Sequence, residues 1–186
     1  DLRDPSGYQA VFSSSEIKKG YSGVATYSKV DAGDISHGFG LPEFDREGRI
    51  IKTDITLNIA LLNIYFPNGK QSPERLDYKM RFYDATLNYI SILKKQGQAV
   101  IVCGDVNTAH CATDLARPKE NENVSGFLPI ERAWIDRLIQ SGFVDIYRYQ
   151  HPDQRDAYTW WDMKSGARGR NVGWRIDYFF VSKEIF

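Results

Sequence analysis

With 186 residues, 42% of them hydrophobic and 26% charged, the chain has the length and balance of one folded domain and not of a disordered segment. Its 24 basic and 24 acidic side chains cancel, so whole-molecule charge argues for no polyanionic partner and only a local patch could bind one. No apolar run nears the ~20 residues of a membrane span, no amino-terminal signal pattern is visible, and two cysteines make no disulfide framework, so a cytoplasmic chain with reduced thiols and no membrane partner is expected.

In chain order, residues 8–13 and 23–29 read as short strands joined by a polar loop ending in Gly20. Residues 31–48, rich in Gly and acids, read as a surface loop. Residues 49–56 alternate as a strand should, and 58–66 (NIALLNIYF) form the near-continuous apolar run of a buried strand, broken by Pro67-Asn68-Gly69. Ser72 as N-cap, Pro73 at the first helical position and Glu74 at the positive end of the dipole start a long helix. Its apolar face is expected to be Leu76, Met80, Tyr83, Leu87 and Ile90, and Gly97 ends it.

Residues 99–103 supply the next strand and complete a strand–helix–strand unit. A second helix is expected over Pro129–Gln140, with Trp134, Ile135, Leu138 and Ile139 inward and Gly142 beyond its end. Residues 158–161 and 174–182 finish the strand inventory, giving a single mixed α/β domain over residues 1–186.

The strand 99–103 runs into Gly104-Asp105-Val106-Asn107. Alone, G-D-x-N is an ordinary turn former, but polar groups end three of the expected strands, and strand tips of α/β sheets gather sites. They are Tyr65 with Asn68, Asp105 with Asn107, and Asp177. Asp177 lies among Ile176, Tyr178, Phe179 and Phe180, so it is expected to be buried and either hydrogen-bonded or shifted in pKa. Arg175, two positions earlier, is expected to be a poor partner. His37, His110 and His151 form no metal triad, and no nucleophile elbow, Walker loop or zinc-peptidase helix is present. Lys164, Arg168, Arg170 and Arg175 fall within twelve residues, beside Trp160, Trp161 and Trp174, a combination suited to a nucleic-acid backbone.

The stretches NIYFPNG, GDVNTAH, LARPKENENVSGFLPIERAWID and YTWWDMKSGARGRNVGWRIDYFFVS, with KGYSGVATYSK and FDREGRI, resemble the exonuclease III family of class II apurinic/apyrimidinic endonucleases, within the endonuclease/exonuclease/phosphatase superfamily. The resemblance implies a four-layer α/β sandwich, two packed mixed sheets flanked by helices. It implies Mg²⁺-dependent hydrolysis of the DNA backbone 5′ to abasic sites, with 3′→5′ exonuclease and 3′-phosphatase activity, and Mn²⁺ as a substitute metal. The implied partner is double-stranded DNA carrying abasic sites or 3′ ends, bound by a monomer in the cytoplasm, or in the nucleus of a eukaryote.

Carried onto this chain, Asp105 resembles the acid that orients the attacking water, and Asn107 the amide that holds a phosphate oxygen; together they would hold the metal. Tyr65 resembles the active-site tyrosine, Asn68 a phosphate contact, and Asp177 the acid that orients a histidine. Trp174 resembles a wall for the extruded abasic sugar and Trp160 a ring beside the DNA, with Arg168, Arg170 and Asn171 as further DNA contacts. The family's amino-terminal W-N-x-N and L-Q-E segments and carboxyl-terminal S-D-H are not among these residues. The sequence therefore reads as an internal portion, expected to show at most trace incision by itself. The rival readings are a phosphatase for inositol or lipid phosphates and a DNA-binding fragment without catalysis.

Overall fold

The computed structural model describes residues 3–186. Its centre is a six-stranded mixed sheet of β3 (Ile35–His37), β4 (Ile50–Thr56), β5 (Ile59–Ile64), β6 (Ala99–Asp105), β10 (Asp177–Ser182) and β7 (Phe143–Asp145), in that spatial order. Only β5 and β6 run parallel, and helix α2 (Pro73–Lys95) is the crossover between them. Ser72 caps α2 by accepting from the Arg75 N–H at 3.2 Å, as local chemistry dictates.

Helices α2 and α4 (Pro129–Gln140) cover one face of the sheet. Ala60, Leu62 and Ile64 of β5, Val100 and Val102 of β6, and Tyr178 and Phe180 of β10 point into that layer and meet Phe82, Ile90, Trp134 and Leu138. Tyr83 stacks on Trp134 with ring centroids 4.1 Å apart. The buried face of α2 differs from the expected one: Lys79, Phe82, Tyr83 and Thr86 are fully enclosed, whereas Leu76, Met80 and Leu87 are only half-buried. The helix meets a polar hub under the sheet tips as well as an apolar core, and hydrophobic spacing registers only the second.

On the other face, the antiparallel hairpin β1 (Gln9–Ser14) and β2 (Gly23–Ser28) packs over β4 and β5, pinned by the Asn63 amide donating to the Ala25 carbonyl at 2.9 Å. The described residues thus build three layers: helices, the large sheet and a two-stranded ribbon. The expected loop 31–48 contains β3 and the single-turn helix α1 (Pro42–Asp45), and the span 174–182 splits into β9 (Gly173–Trp174) and β10. Strand β8 (Trp160–Trp161) pairs with β9 as a separate ribbon, Trp160 opposite Trp174. Two further short helices are α3 (Pro118–Asn121) and α5 (Ile146–Gln150). No helix among the described residues is long and apolar enough to cross a membrane.

Alternation along β10 makes a direct stability test. Phe180 is fully buried and Phe179 is 59% exposed. Phe180→Ala is expected to cost about 3–5 kcal/mol in urea unfolding, and Phe179→Ala less than about 1 kcal/mol. Equal losses would mean that the two faces of β10 are wrongly assigned.

Candidate active site

Three backbone ends converge at one end of the large sheet. Asp105, the last residue of β6, stands directly opposite Asp177, the first of β10. The end of β5 is fastened to β6 beyond the regular ladder: the Phe66 N–H donates to the Asp105 carbonyl at 2.9 Å, and the Asn107 amide donates to the Phe66 carbonyl at 2.8 Å. Tyr65 and Asn68 therefore arrive beside Asp105 and Asn107. The Asn68 amide donates to Asn107 Oδ1 at 3.1 Å.

Gly104 makes this launch possible. Its φ is +126°, and a Cβ there would lie 2.1 Å from the Ile64 carbonyl oxygen, so no other residue fits. Beyond it, Asp105 Oδ1 accepts the Asn107 N–H at 2.7 Å, closing an Asx-type turn in which Asn107 takes the left-handed conformation at φ 56°.

Burial lifts the Asp105 carboxyl from 3.8 to about 7; the Asn107 N–H opposes the rise, Asp177 adds to it, and Lys79 and Arg49 pull it down. Asp177 itself corrects an expectation: it lies on the exposed face of β10, not buried among the aromatics, because Tyr178 and Phe180 take the inward positions. Its N–H is held by Thr159 Oγ1 at 3.1 Å. Among the described residues no histidine is hydrogen-bonded to Asp177; His110 pairs instead with Asp136 at 2.7 Å.

Arg175 supplies a second correction. It belongs to no basic patch: it is 3% exposed, its Nε donating to Asp114 at 2.9 Å and its Nη2 to Asp145 at 2.8 Å. The surface cations of that segment are Lys164, Arg168 and Arg170. Arg168 lies 5.4 Å from the Trp161 ring centroid, and Arg170 donates to the Ser165 carbonyl. Asn171 is committed to the loop itself: at φ 49°, its Oδ1 accepts from Trp161 Nε1 and its amide donates to the Asp156 carbonyl. Trp160 is 44% exposed, whereas Trp174 packs against Ala109, Leu115, Phe127 and Ile176. A groove of about 600 Å³ opens beside Asp177, lined by Tyr147, Tyr158, Thr159 and Phe179.

Two clusters carried no sequence signal. Buried Arg49 and Glu47 form a cationic triad with the half-buried Arg75, and the Arg49 guanidinium lies 4.7 Å from the Tyr65 ring centroid. Lys79 and Glu131 form a fully enclosed pair beneath the Asn107 turn, where burial lowers the Lys79 pKa and the Glu131 carboxylate opposes it. A charged residue on a helix reads as a solvated one unless the tertiary neighbours are known.

Could a metal ion be held here? Among the described residues no three His, Cys, Asp or Glu converge. The paired carboxylates Asp105 and Asp177, with the Asn107 carboxamide, nevertheless form a hard-oxygen donor set, and Mg²⁺ commonly takes only one or two carboxylates and completes its shell with water and phosphate. By the chemistry of these donors the residues fit a divalent cation.

The chain is similar to known proteins along almost its whole length. The endonuclease/exonuclease/phosphatase family profile matches residues 2–186. The chain is 45% identical over 169 residues to an exodeoxyribonuclease of Bacillus subtilis, covering 91% of this chain and 66% of that protein. It is 39% identical over 171 residues to the DNA repair nuclease APEX1 of Danio rerio, covering 92% and 54%. An AP endonuclease structure from Archaeoglobus fulgidus superposes with a TM-score of 0.85 at 30% identity, over 96% of this chain and 68% of that one. A 3′ phosphatase, NExo from Neisseria, bound to product DNA hairpin superposes at 0.86 with 27% identity, over 96% and 68%. The chain spans about half to two thirds of the length of these curated relatives.

Proposed function

Since the chain belongs to the endonuclease/exonuclease/phosphatase family, we propose that it serves a DNA-repair phosphodiesterase that hydrolyses the backbone 5′ to abasic sites, with exonuclease and phosphatase action at 3′ ends. What supports the reading most is the facing pair Asp105 and Asp177 with Asn68, Asn107 and Tyr65 around it, beside an exposed ribbon of arginines and tryptophan. Relatives named exodeoxyribonuclease, DNA repair nuclease and AP endonuclease agree with it.

The duplex lies along Arg168, Arg170 and Trp160, whose contacts to phosphate and base rings carry no sequence preference. The abasic sugar, lacking a base to stack, turns out of the helix against Trp174. Asn68, Asn107 and Tyr65 hold the phosphate oxygens. Asp105 orients a water in line with the P–O3′ bond and takes its proton as the new P–O bond forms; the O3′ leaves and is protonated from solvent. The products are a 3′-hydroxyl and a 5′-phosphate on the abasic sugar. Burial, helped by the negative charge of Asp177 opposite, keeps the Asp105 carboxyl basic enough to accept a proton near neutral pH.

Enzymes of this family generally use a divalent metal. Asp105 and Asn107 would hold Mg²⁺, or Mn²⁺ in its place, which supplies charge neutralisation for the phosphoryl oxygens.

The test is incision of an end-labelled abasic duplex by the full-length protein, with and without EDTA, against a phosphoinositide as competing substrate class. Metal-dependent cleavage of the duplex alone is expected; release of phosphate from the lipid instead would overturn the reading. A second measurement addresses the ribbon. Replacing Arg168 and Arg170 with Ala should weaken binding to damaged and intact duplexes alike and reduce the slope of log K against log salt by about 1–2. An unchanged slope would make this loop a solvated face.

A further inference from the structure

Behind the turn that carries Asp105 and Asn107 lies an ion pair that solvent and DNA cannot reach. Lys79 and Glu131 are both 0% exposed, with Nζ and Oε1 2.6 Å apart. Each of the three donors on Lys79 Nζ has an acceptor within reach: Glu131 Oε1, the Asn107 carbonyl at 2.8 Å and Thr108 Oγ1 at 2.9 Å. Glu131 is equally committed, accepting from Ser125 Oγ at 2.8 Å, the Gly126 N–H at 2.6 Å and the Leu128 N–H at 3.0 Å. One ammonium and one carboxylate therefore tie α2, α4, the 125–128 loop and the 105–108 turn into a single body.

Stability alone does not account for such a pair, because well-packed apolar residues of similar volume usually serve a core as well. The local backbone gives a different reason. Asn107 is one of three non-glycine residues at positive φ among those described, and its carbonyl turns inward to Lys79 while its side chain turns outward to Asn68. Tyr83 reinforces the same turn, donating to the Val106 carbonyl at 2.9 Å. Removing the ammonium takes away the charged donor that holds the carbonyl inward, and with it the constraint that faces the amide outward.

We propose that Lys79, held in place by Glu131, is a positioning residue for hydrolysis: it locks the left-handed turn at Asn107 so that the Asn107 and Asp105 side chains present a fixed arrangement to the phosphate. The proposal rests on the reading of Asp105 and Asn107 as the reacting centre. Lys79 touches no substrate and acts only through the turn.

The informative variant is Lys79→Met with Glu131→Gln. It preserves volume, removes both charges together and leaves a Gln oxygen to accept from Gly126 and Leu128. Lys79→Met alone strands a buried carboxylate and is expected to melt far lower, which tests nothing further. The double variant is expected to fold, with hydrogen exchange at the Asn107 and Thr108 amides accelerated at least ~10-fold while β5 and α4 exchange as before. In the full-length protein its kcat for abasic-duplex incision should fall ~10–100-fold with duplex Kd unchanged, since displacement of a reacting group by an ångström is felt in the chemical step. A folded double variant with wild-type exchange at 107–108, or with wild-type kcat, overturns the proposal. Absence of incision by the wild-type protein would sink the functional reading instead, and the exchange measurement alone then decides the positioning role.

Discussion

Asp105→Asn is expected to move two measurements in opposite directions: incision of an abasic duplex by the full-length protein falls by about 10³-fold, while the metal-free protein becomes more stable at pH 7.5. The loss follows from the chemistry at the tip of β6. The amide keeps the shape of the carboxylate and can still accept the Asn107 N–H, but it cannot take a proton from water. Contacts along the arginine–tryptophan ribbon remain, so duplex affinity should change less than about threefold.

The gain follows from burial. The folded state lifts the Asp105 carboxyl to about 7, well above its value in an unfolded chain, so between pH 4 and 7 the native state holds this proton more tightly than the unfolded state. Stability from this group is therefore fully present below about pH 4 and is lost as pH rises toward 7. Three pKa units bound the effect at about 4 kcal/mol. The new amide also sets its NH₂ against that of Asn107, which now donates to Asp105 Oδ2 at 3.2 Å. A net gain of about 1–2 kcal/mol remains, or roughly 2–8 °C in Tm in EDTA at pH 7.5, and it turns into a net loss by pH 4, where only the amide clash is left. Near-normal turnover would remove Asp105 from the mechanism. Equal melting at both pH values would mean that the carboxyl is not held above its ordinary range.

Local rules reached far along this chain. The start of α2 was legible because Ser72 and Pro73 act within one turn, and β5 and β6 were legible because a strand buried on its sheet faces needs a continuous apolar run. Strands β3 and β7 were not, since three residues establish no period. The three polar strand tips stand out as candidate site groups by their position alone, and they meet at one end of the sheet because β5 and β6 are parallel while β10 returns between β6 and β7.

Where the reading failed, the cause was long-range pairing. Phe179 is a large ring on an exposed face, which breaks the alternation that would have shown Asp177 to be exposed as well. Arg175 looked like one more cation of a basic loop, because its acceptors lie 61 and 30 residues away in sequence. Lys79 was invisible for the same reason: Glu131 is 52 residues away, and the Asn107 carbonyl is a backbone group that no residue name reveals. Side chains that support a site through distant charged partners leave no periodic mark.

Arg175 carries an expected loss of stability as large as that of a buried core ring. Its guanidinium is shared between Asp114, which is 0% exposed and also bound by Arg148 at 2.5 Å, and Asp145. Burial alone would raise the Asp114 carboxyl; hydrogen bonding and charge from Arg175 outweigh it and hold that pKa below the ordinary value. Arg175→Met leaves two enclosed carboxylates short of a cation and should cost about 3–5 kcal/mol at pH 7. Asp114, with its depressed pKa, contributes stability above about pH 4 that is lost as pH falls through the folded value, so the gap between wild type and variant should narrow in acid as the stranded Asp114 carboxyl protonates. Arg175→Lys should recover little, because one ammonium cannot reach Asp114 along the Nε edge and Asp145 across the fork at once. The consequence extends to the site: the Arg175 N–H donates to the Asp114 carbonyl at 2.7 Å, and its own carbonyl accepts from the Tyr178 hydroxyl. Trp174 and Asp177 flank this anchor on either side. Chemical denaturation at pH 7 and pH 4 decides the matter: an Arg175→Met protein as stable as wild type at pH 7, or a deficit that widens in acid, would show that these ion pairs do not hold the strand that carries Asp177.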